Sequence, residues 1–313
     1  MADAHFSSSL ICQEDGTSLE KEERLEWDMD NLSSFGDYFD LSESDDEYIS
    51  LLVSKESRFE SRNQEESSEN QLVPARTDAV VWILKTNKRL GFGLKTAYTA
   101  VVYLDRFFLH RIIDRGKAWA VRLLSIACLS LAAKMEENKA ITLTDFQFED
   151  YLFKCDTIQR MELLVLATLQ WRMIVITPFA YLSYFASKLH EDGTNELIKR
   201  AIGFIFSSIK VISSVDHRPS VIACASILAS SNEKLSQQLV KSKLSSLSSL
   251  ELLDNEHVSS CYSMMIQEAN KEKINYSSNN ISVSGISSIG TSNNTSLENP
   301  CIKRRRLQFP NDE

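Results

Sequence analysis

The chain has 313 residues, 43% of them hydrophobic and 25% charged, with a formal net charge of -9. That length and apolar content suffice for one large core or two ordinary ones, and the acidic balance excludes a nucleic-acid surface as the main working face, because phosphate binding needs clustered Lys and Arg. Six cysteines (Cys12, Cys128, Cys155, Cys224, Cys261, Cys301) are dispersed without a CxxC pair or a His at metal-ligand spacing, so they read as reduced thiols of an intracellular protein with no metal or other cofactor.

The N-terminal string MADAHFSSSL has neither a basic flank nor an apolar run, and no secretory signal is expected from it. From Met1 to Leu72 there are 20 Asp and Glu against 5 Lys and Arg, with few aliphatic runs. Such a segment does not repay the entropy of ordering, so residues 1–72 are expected to be a disordered acidic tail apart from short docking elements. From Pro74 helical periodicity takes over, punctuated by Gly91, Gly93 and Gly116, and predicts helices over 76–88, 94–110, 117–135, 142–153 and 157–170. Thr142 with Asp145, and Asp156 with Gln159, read as N-terminal caps of the fourth and fifth. The longest apolar stretch, Ala118 to Ala133, is interrupted by Arg122 and is too short to span a bilayer. Thr177 followed by Pro178 starts a second helical series, expected over 178–189, 195–213, 218–231, 235–246 and 254–272. A polar low-complexity tail follows, 274–313, ending in the basic cluster Lys303, Arg304, Arg305 and Arg306.

Four charged residues stand on the apolar stripes of consecutive predicted helices. Arg76 is in register with Ala79, Val80 and Ile83; Asp105 lies between Val101 and Phe108; Lys134 follows Ala127 and Leu131; Glu162 lies between Ile158 and Val165. Spacings of three, four or seven place each charge on a core-facing side. A buried charge is costly unless paired or hydrogen-bonded, so these four require partners, either as two internal salt bridges or on another protein. Nothing points to catalysis: there is no GxGxxG, GxxxxGK[ST], GxSxG or HExxH, and the five histidines are scattered.

The strings RTDAVVWIL (76–84), YLDRFF (103–108), LAAKMEE (131–137) and RMELLVLATLQW (160–171), in this order and at these separations, resemble the cyclin box. HRPSVIACASIL (217–228) is similar to the C-terminal fold of plant D-type cyclins. The resemblance implies an all-α protein of two tandem cyclin folds of about five helices each, over 73–176 and 177–273, flanked by the two tails. It implies a non-enzymatic regulatory subunit that forms a heterodimer with a cyclin-dependent serine/threonine kinase, activates it, and promotes G1/S progression from the nucleus, with the cytoplasm as a second location. A cyclin-fold scaffold or transcription-associated protein that activates no kinase is the alternative; neither a nucleic-acid nor a membrane partner is expected.

By the same resemblance Arg76 and Asp105 form a structural ion pair, whereas Lys134 and Glu162 reach main-chain groups of the kinase. Leu131, Met135, Leu166, Trp171 and Met173 are implied to form the apolar pocket for its regulatory helix. Leu10, Cys12 and Glu14 read LxCxE, which in D-type cyclins binds retinoblastoma-related protein. Kinase inhibitor proteins are further implied partners. The family's substrate-docking patch on the first box helix departs here, with Ala75 before Arg76 and Lys85 where an acid often lies, although Trp82 is kept. Lys303, Arg304, Arg305 and Arg306 read as a nuclear import signal.

Overall fold

The computed structural model describes residues 46–56, 69–111, 117–138, 142–146, 153–189, 194–211, 216–231, 239, 242–243 and 253–281. All regular structure among them is helical: α1 Asp46–Lys55, α2 Glu69–Leu90, α3 Leu94–His110, α4 Ala118–Glu136, a 3-10 turn Leu143–Phe146, α5 Cys155–Thr168, α6 Phe179–Leu189, α7 Thr194–Ser208, α8 Pro219–Ser230 and α9 Asn255–Ile281. The chain divides into two units, Met1–Lys271 and Glu272–Glu313, and the first holds both helical bundles.

Each bundle is built around one helix that is apolar on every side. In the first this is α4, buried continuously from Leu123 to Ala133 and packed against α2, α3 and α5. In the second it is α8, buried from Ser220 to Ser230 and packed against α6 and α7. A helix without a polar face has no stable place at a surface, so its neighbours must wrap it, and their amphipathic stripes do so. By length and hydropathy α4 could cross a bilayer, against the expectation from Ala118–Ala133, because the helix runs on to Glu136; 72% of that stretch is buried inside the protein, as core.

Short turns hold the first bundle in register. Helix α2 ends at Gly91, whose φ of +68° only glycine adopts without strain. The Phe92 N–H then reaches back to the Asn87 carbonyl, and the buried Asn87 amide donates to the Phe92 and Gly93 carbonyls at 3.1 Å each. The two bundles meet through α3 and α6, where Tyr98 and Phe179 pack edge to face at 5.5 Å.

Several expectations change. Residues 46–55 fall in the segment expected to be a disordered tail, yet they form α1, because Ile49 and Val53 bury fully and repay the ordering. Helix α2 begins at Glu69, not 76, and continues through Pro74, whose ring sits near the helix start and costs one hydrogen bond at an exposed position. Helix α5 begins at Cys155 with Lys154 as its N-cap residue, so Asp156 is not the cap but lies in the first turn, where its carboxylate meets the positive end of the helix dipole. Of the helix expected over 142–153, residues 147–152 lie outside the described residues; 143–146 form the 3-10 turn, and the Thr142 and Thr144 hydroxyls are hydrogen-bonded at 2.7 Å. The helix expected over 235–246 lies outside the described residues except 239, 242 and 243.

Candidate functional site

The four in-register charges form two pairs. Asp105, 1% exposed in its side chain, accepts from Arg76 Nε at 2.6 Å and from Nη2 at 3.0 Å, a two-point contact of carboxylate and guanidinium. The remaining donors do something the sequence did not reveal: Nη1 donates to the Lys210 carbonyl at 2.8 Å and Nη2 to that of Ile209 at 3.1 Å, just past the end of α7. Arg76 thus joins α2, α3 and the second bundle, and caps a helix C-terminus where a cation is favoured.

The second pair is of a different kind. Glu162 on α5 is buried, while Lys134, in the last turn of α4, keeps 43% of its side chain exposed. The Lys134 ammonium lies 2.7 Å from Oε1 and 2.8 Å from Oε2 of Glu162, and the Ser130 hydroxyl donates to Oε1 at 2.6 Å. A half-buried salt bridge with an exposed ammonium can still offer hydrogen bonds to another molecule.

The end of α4 is clamped by its two next acids. Glu137 Oε1 accepts from the Gly93 N–H at 2.7 Å and the Thr96 hydroxyl at 2.5 Å, capping α3 from outside its own sequence. Glu136 pairs with Lys95 at 2.8 Å and accepts from Thr99. Sequence reasoning missed Glu136, Glu137 and Ser130 as contributors; the string KMEE contained the signal, as paired acids closing an apolar helix.

Around Lys134 and Glu162 the implied apolar residues divide. Leu131 and Met173 belong to the core and Leu166 packs partly against it, whereas Met135 and Trp171 are 51% and 67% exposed. Three of the five lie in or against the core and two project from the surface. Leu163 and Ile174, not anticipated, are also exposed, at 57% and 89%. The turn bearing Trp171 is unusual: Gln170 and Trp171 have φ of 53° and 61°, in the left-handed region that non-glycine residues avoid. It is pinned to α3 by Arg106, donating to the Arg172 carbonyl at 2.8 Å, and by the Tyr103 hydroxyl, donating to the Met173 carbonyl at 2.7 Å.

On the neighbouring face of α2, the Arg122 guanidinium lies over the Trp82 ring at 4.9 Å, with Lys85 exposed one turn on. Helix α1 is tied to the second bundle at both ends. Asp46 accepts from the Tyr184 hydroxyl at 2.9 Å and lies 3.3 Å from Lys188, and these contacts hold its carboxyl below the usual range. Buried Glu56 accepts from the Ser220 N–H at 2.7 Å and hydroxyl at 2.9 Å, capping α8. Burial pushes the Glu56 carboxyl above its usual range, against the Ser220 bonds, which pull it down. Leu10, Cys12 and Glu14, and Lys303, Arg304, Arg305 and Arg306, lie outside the described residues. No cluster of His, Cys, Asp and Glu able to hold a metal occurs among the described residues.

The model of the cyclin N-terminal domain matches residues 47–174 and that of the cyclin C-terminal domain residues 176–286. Cyclin-D5-2 of Oryza sativa subsp. japonica is 45% identical over 215 residues, 64% of this chain and 59% of the relative, so the chain spans less than two thirds of that protein. Cyclin-D5-1 of Arabidopsis thaliana is 34% identical over 84% of this chain and 81% of its own length, and Cyclin-D1-1 of Arabidopsis thaliana 38% identical over 82% and 75%. Among solved structures, a viral cyclin from Herpesvirus saimiri superposes with a TM-score of 0.50 at 15% identity, covering 71% of this chain and 96% of that one, which supports the tandem helical fold. With two adjoining cyclin domains matched and such relatives over most of its length, the chain belongs to the cyclin family, among the plant D-type cyclins.

Proposed function

We propose that this chain is the activating regulatory subunit of a cyclin-dependent serine/threonine kinase, promotes the G1/S transition, and directs the kinase to retinoblastoma-related protein. The observation that carries the reading is the Lys134–Glu162 pair, its ammonium exposed at the end of a clamped helix, with Met135 next to it in sequence and Trp171 on the turn after α5 both projecting from the surface. A kinase with its regulatory helix turned out cannot bring its glutamate to the lysine that holds the ATP phosphates. A rigid helical face that binds only the turned-in form shifts the population toward activity. Lys134 and Glu162 supply charge-assisted hydrogen bonds to kinase main chain, and Leu131, Leu166 and Met173 form the floor under its aliphatic side chain. Arg76 and Asp105 keep the two bundles in place. The chain itself carries out no chemistry.

Leu10, Cys12 and Glu14 hold retinoblastoma-related protein as an extended peptide, and the basic cluster Lys303–Arg306 directs import into the nucleus. Kinase inhibitor proteins are further partners.

The test is a pull-down with a plant cyclin-dependent kinase, reading phosphorylation of a pocket protein on the beads. Wild type should recover active kinase, and Lys134→Ala and Glu162→Ala should lose it while circular dichroism stays helical. A Cys12→Ala variant should keep histone phosphorylation and lose pocket-protein capture. Folded wild type that recovers no kinase would overturn the reading in favour of a scaffold.

A further inference from the structure

We infer that Ser130 is a positioning residue for partner binding: its buried hydroxyl sets the orientation of the Glu162 carboxylate so that one oxygen is held inward and the other is presented, with Lys134, to the partner. This rests on the proposed role of Lys134 and Glu162.

Two serines of α4 behave differently. Ser125 is fully buried and donates to the Val121 carbonyl four residues back, at 2.9 Å, as a serine inside a helix normally does. Ser130 is 1% exposed and donates across to α5 instead, at 2.6 Å to Glu162 Oε1. For packing alone, Ala would serve at this site. Ser130 and Lys134 are one turn apart, so both address the same carboxylate from one face of α4.

Donor and acceptor counting then assigns the two oxygens. Oε1 accepts from Ser130 and from Lys134, which uses both of its lone pairs, whereas Oε2 accepts from Lys134 alone and retains one. Lys134 uses at most two of its three N–H groups on Glu162 and keeps at least one. The pair therefore offers one acceptor and one donor side by side, the complement of a peptide group's N–H and C=O. Without the Ser130 hydroxyl the carboxylate can rotate, and the orientation must be selected on binding at a cost in affinity.

The experiment measures affinity of the full chain for a purified plant cyclin-dependent kinase, with melting temperatures alongside, for wild type, Ser130→Ala, Lys134→Ala, Glu162→Ala and Ser130→Ala/Glu162→Ala. Ser130→Ala should weaken binding about tenfold, as expected for loss of a hydrogen bond to a charged group. In the Glu162→Ala background, followed at raised kinase concentration, the same change should have no further effect, a coupling that a merely structural serine would not produce. Wild-type affinity for Ser130→Ala, or an equal loss in both backgrounds, overturns the inference. Should Lys134→Ala bind as tightly as wild type, the reading of the whole site fails and this inference with it; loss with Lys134→Ala but not with Ser130→Ala refutes the inference alone.

Discussion

At the scale of single residues, burial separates two ion pairs that look alike in sequence. Arg76 and Asp105 are almost fully enclosed, with side-chain exposures of 11% and 1%. Removing one partner leaves a desolvated charge, so Asp105→Ala is expected to lower stability by about 3–5 kcal/mol in chemical denaturation. Lys134 is substantially exposed while its partner Glu162 is buried, so Lys134→Ala should cost less than Asp105→Ala, about 1–2 kcal/mol in the same assay, because water can approach the carboxylate where the ammonium stood. The contrast matters for function, since a charge kept for stability is placed where water cannot reach it and a charge kept for recognition must remain reachable. Gln170 offers a separate residue-level test. Its φ of 53° is strained for any side chain and worst for a β-branched one. Gln170→Val should therefore destabilise by about 1–2 kcal/mol, while Gln170→Gly should be near neutral, as relief of strain offsets the entropy glycine loses on folding.

At the scale of elements, α1 tests whether the N-terminal helix is part of the second bundle's stability. Glu56 supplies the cap that α8 lacks from its own N-cap residue, Arg218, which makes no side-chain capping bond. Glu56→Ala should cost about 1 kcal/mol, and hydrogen exchange should quicken together at the amides of α1 and the first turn of α8. Exchange that quickens in only one of them would show that the two helices open independently. Helix existence was largely legible from periodicity: α3 runs over 94–110 as expected, and α4, α5, α6 and α8 fall within about two residues of expectation. What was not legible follows from distance in sequence. The Glu56 cap spans 164 residues, and the Arg76 bonds to Ile209 and Lys210 span 133 and 134. The charge on the stripe announces that a partner is needed; only the crossing of helices decides which one.

At the scale of the molecule, pH acts through groups buried in different places and with opposite sign. Burial first of all lowers the His217 pKa from its usual 6.5, with Asp216 opposing and His257 reinforcing. The unfolded chain then binds more protons than the native one as pH falls below 6.5, so this contribution is intact above that pH and is lost as pH falls through the lowered folded value. Glu56 is shifted the other way, above its usual 4.5, so its contribution is full below that value and declines as pH rises through the raised folded value. In denaturation profiles, His217→Asn should flatten the acid-side loss just below pH 6.5, and Glu56→Gln should remove an opposing slope just above pH 4.5. Three buried thiols should be silent throughout: burial pushes Cys224 and Cys261 up to about 12 and Cys128 higher still, so these three should resist thiol reagents until the chain unfolds.

The amino-acid sequence by itself determined the all-helical class, the two successive bundles, the four charged positions and the family, because each of these is written in local periodicity and in short strings whose order survives without coordinates. It also marked Lys134 and Glu162, since charge on an apolar stripe demands an account wherever the helices go. Tertiary structure alone decided that Arg76 joins two bundles, that Glu56 caps α8, that Met135 and Trp171 project while Leu131 and Met173 form the floor, and that Ser130 turns from its own helix to Glu162. Those outcomes depend on which side chains meet across helix crossings, and a one-dimensional pattern carries the need for a partner without its identity.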